Sequence, residues 1–361
     1  MKSLPRFVLL AAAPFAVLLS AAQTTPSPAL LILSKTDHAL AIVDPATLQV
    51  VGHVPVGDDP HEIVASADGK TAYVSNYGFG AFHTITPIDL VVQKELAPID
   101  LGALRGPHGL MFQDGKVWFT AEAAKAIGSY DPAPGKIDWI MGLGQNRTHM
   151  IFVFPGARRI VTTNVNSGTV TILEKVEGRP GPPPGSMPSS PGPMPPPQGA
   201  GGPPMGPPPT PPGGDWQLTN IAGGERNEGF DVTPDLKQAW TVSPVDGKVY
   251  IVDVNEKKVT ATIDANAQRA NRLKFTPDGK LALISAGPEF VVIDVAPQKV
   301  IQRITTGHGS GGILVQPDGA RAYVACSPDN YVVVIDLKTF AIVGRIQPGG
   351  NPDGMAWAVQ R

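Results

Sequence analysis

His61-Glu62-Ile63-Val64, Asp68-Gly69-Lys70 and Tyr73-Val74-Ser75-Asn76 follow one another closely and form the unit from which most of the chain is built. A polar leading residue opens a short apolar run, an Asp-Gly turn reverses the chain, and a second apolar run follows. Such runs read as paired strands, because Gly adopts the positive φ that a tight reversal needs. The unit recurs. His108-Gly109-Leu110-Met111 leads through Asp114-Gly115-Lys116 to Phe119-Thr120-Ala121-Glu122, and His149 opens a third copy ending at Val161-Thr162-Thr163-Asn164. Glu228 leads through Pro234-Asp235 to Trp240-Thr241-Val242-Ser243, and Asn271 precedes Pro277-Asp278-Gly279-Lys280. Gly311 precedes Pro317-Asp318-Gly319 and Tyr323-Val324-Ala325-Cys326, and Asp353 starts a seventh copy that stops after one strand.

Successive leading residues lie 47, 41, 79, 43, 40 and 42 positions apart. A period near 40–45 residues with four short strands per unit is that of a β-propeller. The expected fold is all-β: a seven-bladed propeller of four-stranded antiparallel blades, closed by pairing of N- and C-terminal segments in one blade. Residues 353–359 supply that blade's innermost strand. Leu30-Leu31-Ile32-Leu33, Leu40-Ala41-Ile42-Val43 and residues 50–56 supply the other three, so that closure leaves no exposed sheet edge. Asp44, Asp89, Asp131, Asp253, Asp294 and Asp336 end the third strands and are expected to initiate turns by accepting backbone N–H bonds. Glu174 takes that place in the third unit.

The 79-residue gap contains a stretch of another kind. Residues 180–214 hold 17 of the 39 Pro and nine of the 40 Gly, with no charged or aromatic residue. A segment of this composition cannot build a core, so 178–214 is expected to be a disordered Pro/Gly-rich insertion leaving the third-to-fourth-strand connection of one blade. At the start, Lys2 and Arg6 precede an apolar run over residues 7–19 and the small residues Ala21 and Ala22. This pattern predicts a Sec-type signal peptide over 1–22, cleaved after Ala22, and a periplasmic or secreted mature chain with no membrane span. Residues 23–361 then form one domain, expected to be a monomer. A formal net charge of -2 excludes the basic footprint of a nucleic-acid binder, and a single cysteine, Cys326, excludes a disulfide scaffold.

The strand Tyr73-Val74-Ser75-Asn76 and its cognates beside Pro-Asp-Gly turns resemble the YVTN-repeat propeller family over nearly the whole mature chain. Gly106-Pro107-His108-Gly109 with Val117-Trp118-Phe119-Thr120 looks more like the streptogramin-lyase branch of seven-bladed propellers. The resemblance implies the fold but no particular activity.

In a propeller the leading residues surround the mouth of the central channel. Here they are His61, His108, His149, Glu228, Asn271, Gly311 and Asp353, with Arg147, Arg226 and Arg269 two residues before three of them, and Arg272 after Asn271. His38 and His308 fall in loops of the same face. Imidazole, guanidinium and carboxylate groups converging on one concavity mark a ligand site, and several readings of it stand together. The His side chains could simply cap loop carbonyls. The mouth could bind a small anionic ligand or a protein partner, with Arg147, Arg226 and Arg269 as bidentate donors. It could resemble the lactonase and carboxymuconate-cyclising propellers, with His149 or Glu228 as general acid or base and Arg226 or another arginine stabilising an oxyanion. His61, His108 and His149 could hold a divalent metal, although the separation of neighbouring blades argues against their rings meeting. No other cofactor is expected, and whether the chain is an enzyme stays open.

Overall fold

In the computed structural model, residues 24–177 and 215–361 are described; the leader and the insertion read from the sequence lie outside them. The described residues form seven antiparallel sheets in a ring, with no α-helix among them. The first repeat gives Pro60–Ala65, Thr71–Asn76 and Thr84–Asp89, followed by two short pieces, Lys94–Glu95 and Ile99–Asp100, that share the edge position. The remaining six sheets have four strands each. In the seventh, Pro352–Ala358 pairs with Ala29–Ser34, which continues to Ala39–Asp44 and Gln49–Pro55, so the chain ends close the ring as the sequence indicated.

Blade-to-blade packing is largely apolar. Leu31, Leu33, Leu40 and Ile42 of the closing blade bury completely against Val74 and Ile88 of the next one. Cys326 is likewise fully buried within its strand, and burial pushes its thiol up to about 11. All six aspartates that end third strands act as turn makers. Asp44 accepts from the Ala46 N–H at 2.9 Å, Asp89 from Val91 at 2.8 Å, Asp131 from Ala133 at 3.0 Å, Asp253 from Asn255 at 2.8 Å, Asp294 from Ala296 at 3.3 Å and Asp336 from Thr339 at 2.8 Å. Glu174 differs: it pairs with Arg159 in its own blade and with Lys257 of the next. Beyond it, Thr169–Val176 and Asp215–Ala222 remain in register from Thr169↔Ala222 to Val176↔Asp215, so the insertion interrupts the chain without interrupting the blade.

Three local devices aim the channel-mouth residues. In six innermost strands the register slips by one residue at the leading position, so that two residues oppose one across the pair; His61 and Glu62, for example, both lie opposite Ser75. Such a bulge re-aims a side chain that regular pleating would direct elsewhere. Secondly, a buried hydroxyl holds the bulge to the adjacent blade. Thr120 Oγ1 accepts from the Gly109 N–H and donates to the His149 carbonyl, and Ser75 does the same for Glu62 and His108. Ser285 repeats this for Arg272 and Gly311. Thirdly, the residue two before each leading position is left-handed in all seven blades: Asp59 (φ 45°), Gly106 (72°), Arg147 (57°), Arg226 (55°), Arg269 (62°), Gly309 (63°) and Asn351 (54°). The regular spacing of the three arginines therefore marks a turn position, one that is unfavourable for residues other than Gly, Asn and Asp.

The register also corrects the reading of the second unit. Phe119 pairs with Leu110 as Val74 pairs with Ile63, so Trp118-Phe119-Thr120-Ala121 is the cognate of Tyr73-Val74-Ser75-Asn76. Glu122 lies one residue beyond the strand end, at the position held by Tyr77, Ser327 and Lys35 in other blades.

Candidate functional site at the channel mouth

A cavity of about 590 Å³ opens at the mouth. Its wall includes His61, Glu228, Asn271, Arg272, Gly311 and Asp353 from the innermost strands or the residues just before them, and Lys35, Tyr77, Phe79 and Ser327 from the connections that follow second strands. Arg147 and Arg269 also reach it. His108 and His149 lie behind the wall with no exposure. Arg226 does not belong to this cavity. It is exposed on a separate groove beside Gly168, Glu225 and Tyr250, whereas Arg147, at the equivalent position of the preceding blade, faces Glu122 and Glu228. His38 and His308 pair with Asp58 and Asp329 on the same face but outside the cavity wall.

The three mouth histidines touch. The His61 and His108 rings are 4.3 Å apart between centroids and the His108 and His149 rings 3.8 Å apart, so the expected separation between blades is overturned: the bulges bring the rings inward. Nor do these rings cap loop carbonyls. His61 Nδ1 lies 2.5 Å from Lys35 Nζ, His149 Nδ1 lies 2.5 Å from Glu122 Oε1, and neither nitrogen of His108 has a hydrogen-bond partner among the described residues. An imidazole nitrogen left unpaired in the interior costs about 1–3 kcal/mol, so His108 is not explained by packing alone.

Charge divides the three rings. Burial, and then the Lys35 ammonium, hold His61 down to about 3. Burial, followed by the neighbouring His149 and His61, keeps His108 well below the usual imidazole value, hence neutral. Burial also opposes charge on His149, but the hydrogen bond to Glu122 and the negative charges of Glu122 and Glu228 outweigh it and raise its pKa. His149 Nε2 is 3.1 Å from Glu228 Oε1, near enough for an ion pair but too poorly aligned to count as a hydrogen bond. Glu228 is itself drawn down to about 2, burial being outweighed by His149 and the arginines. Glu122 also accepts the Tyr77 hydroxyl at 2.5 Å and faces Arg147 Nε at 3.5 Å.

Lower in the channel, Arg272 pairs with Glu62 of the first blade, 210 residues earlier in the chain. These two occupy the position following the leading residue, where four other blades carry Gly109, Gly229, Gly312 and Gly354. A Cβ on Gly109 would come within 2.5 Å of the His149 carbonyl, so those blades need glycine where a neighbour's backbone crosses. Arg272 lines both the mouth and a second cavity of about 370 Å³ below it, and the Arg272–Glu62 pair stands between the two. The guanidinium of Arg272 is therefore occupied. Asp353 is close to Lys35, at 3.4 Å, and burial raises its pKa against the pull of Lys35 and Arg272.

Comparison with solved structures places this geometry on a known architecture. A protein of unknown function from Desulfotomaculum acetoxidans superposes with a TM-score of 0.70 at 12% identity, over 93% of this chain and 100% of that one. A candidate 6-phosphogluconolactonase from Bacteroides fragilis gives 0.66 at 14% identity, over 92% and 98% of the two chains. Kuenenia stuttgartiensis hydrazine synthase gives 0.64 at 16% identity, over 90% and 99%. These likenesses establish the fold. At such identities they carry no activity across, and no family model and no curated protein matches the sequence.

Of the residues read from the sequence, His61, Glu228, Arg147, Arg269, Arg272 and Asp353 meet at the cavity, His108 and His149 stand immediately behind it, and Arg226 is elsewhere. Sequence reading missed Lys35, Tyr77 and Glu122. The signal available was their shared position after a second strand, obscured in the second blade by the one-residue misalignment.

Proposed function

We propose that this chain is an exported binding propeller of the YVTN type whose mouth takes a small organic anion bearing a carboxylate or phosphate group. One observation carries the reading: Arg269 is exposed on the cavity wall and has no carboxylate partner among the described residues, whereas Lys35, Arg147 and Arg272 each have one. The wall presents four cationic side chains, Lys35, Arg147, Arg269 and Arg272, against the carboxylates of Glu228 and Asp353; Glu62 and Glu122, which pair with Arg272 and Arg147, sit behind it. An incoming anion would pair with Arg269 at low desolvation cost and gain from the field of the others.

Lactone-type catalysis has less support. Of its three candidate residues only Glu228 lines the cavity; His149 is sealed behind the wall and Arg226 occupies another groove. The test is isothermal titration of the mature protein with sugar acids, dicarboxylates and sugar phosphates. The expected result is a saturable ligand whose affinity falls at least tenfold in Arg269→Ala and is unchanged in Arg226→Ala. A panel with no binder, or a ligand indifferent to Arg269→Ala, would sink the reading.

A further inference from the structure

We infer that His108, Glu122 and His149 form a divalent transition-metal site behind the mouth wall. The three side chains come from different strand ends. His108 and His149 are second residues of Pro107–Gln113 and Thr148–Val153, and Glu122 follows Lys116–Ala121. Their potential ligand atoms all lie within 4.8 Å of one another, and all three residues are buried. This differs from a site at His61, His108 and His149, since His61 Nδ1 is engaged by Lys35 and the carboxylate required by charge balance comes from Glu122.

The observation pointing to a ligand is His108. Its ring has no exposure, is wedged between His61 and His149, and has both nitrogens without a partner among the described residues. His149 Nε2 also lacks a hydrogen bond, with Glu228 Oε1 3.1 Å away. Glu122 is oriented from outside the cluster by the Tyr77 hydroxyl, the kind of support that fixes a carboxylate ligand. Two imidazoles and one carboxylate suit Zn²⁺, Co²⁺, Ni²⁺ or Cu²⁺ and disfavour Ca²⁺ and Mg²⁺, which need mostly oxygen. The Glu122 carboxylate would offset half of the divalent charge. The metal would take the place of the proton now shared between His149 and Glu122, and that proton would leave to solvent. Tyr77 and Glu228, both on the cavity wall, contact the cluster from the mouth side.

The inference does not depend on anion binding, so its test uses metal alone. Metal-stripped mature protein would be dialysed against Zn²⁺, and separately titrated with Co²⁺ while its visible spectrum is recorded. We expect one tight equivalent, Co²⁺ d–d bands of a four- or five-coordinate N/O site, and a raised Tm. Affinity should fall at least 100-fold in His108→Ala and 10- to 100-fold in Glu122→Gln, but remain in His38→Ala and His308→Ala. Absence of saturable binding to the folded wild-type chain overturns the inference, as does tight binding that survives His108→Ala in a protein with unchanged circular dichroism. If His108→Ala does not fold, the Co²⁺ spectrum of the wild-type chain decides: octahedral, weakly absorbing Co²⁺ counts against the site.

Discussion

The hydroxyl of Thr120 donates to the carbonyl oxygen of His149 at 2.8 Å, joining the second blade to the leading residue of the third. The Thr120 hydroxyl oxygen in turn accepts from the Gly109 N–H at 2.9 Å, so a single buried side chain fixes the bulge of its own blade and the backbone of its neighbour. Mouth geometry is thus relayed around the ring by residues that never reach the cavity.

Replacing that hydroxyl tests the relay. Thr120→Val keeps the shape but strands the Gly109 N–H and the His149 carbonyl, and should cost about 1–3 kcal/mol in urea denaturation. Thr120→Ser should retain most of the stability. Equal stability of the Val and wild-type proteins would show that the bond contributes nothing.

The Arg272–Glu62 pair should be strongly coupled. Arg272 is 5% exposed, so Glu62→Ala leaves a buried guanidinium without its partner and is expected to cost about 3–5 kcal/mol. Glu62→Met combined with Arg272→Met removes both charges and should recover most of that loss. A double-mutant cycle with no coupling energy would rule out a strut across the channel.

Acid sensitivity should trace in part to His61. Its folded pKa of about 3 lies below the ordinary 6.5, so between these values the unfolded chain takes up a proton that the folded chain refuses. Stability from this group therefore falls as pH drops from 6.5 towards 3. In His61→Asn the Tm should decline less steeply over that window; an unchanged slope would remove His61 as a cause.

Ring closure predicts a global effect of terminal truncation. Deleting residues 352–361 removes the strand that pairs Ala358 with Ala29 and Trp357 with Leu30, and bares a wholly buried strand, Ala29–Ser34. The expected outcome is loss of cooperative melting and aggregation during light-scattering measurements, since an exposed apolar edge recruits other chains. A truncated protein that melts sharply near the wild-type temperature would contradict closure through this pairing.

Blade count, closure, turn aspartates and the ring of leading residues were legible in the sequence because each repeats. A period of 40–45 residues fixes which strands share a blade, and Asp at the end of a third strand has one local task wherever it occurs. What lay beyond the sequence was side-chain direction and pairing between blades. Arg147, Arg226 and Arg269 occupy equivalent backbone positions, yet Arg147 turns to Glu122 and Glu228, Arg269 faces the cavity unpaired and Arg226 leaves it. Periodicity assigns such residues to a common position, while the carboxylates that face Arg147 come from the blades on either side of it, Glu122 from one and Glu228 from the other. The histidine stack has the same origin. The sequence placed three rings on one rim, and only the bulges and the hydroxyl links between blades brought them into contact around Glu122.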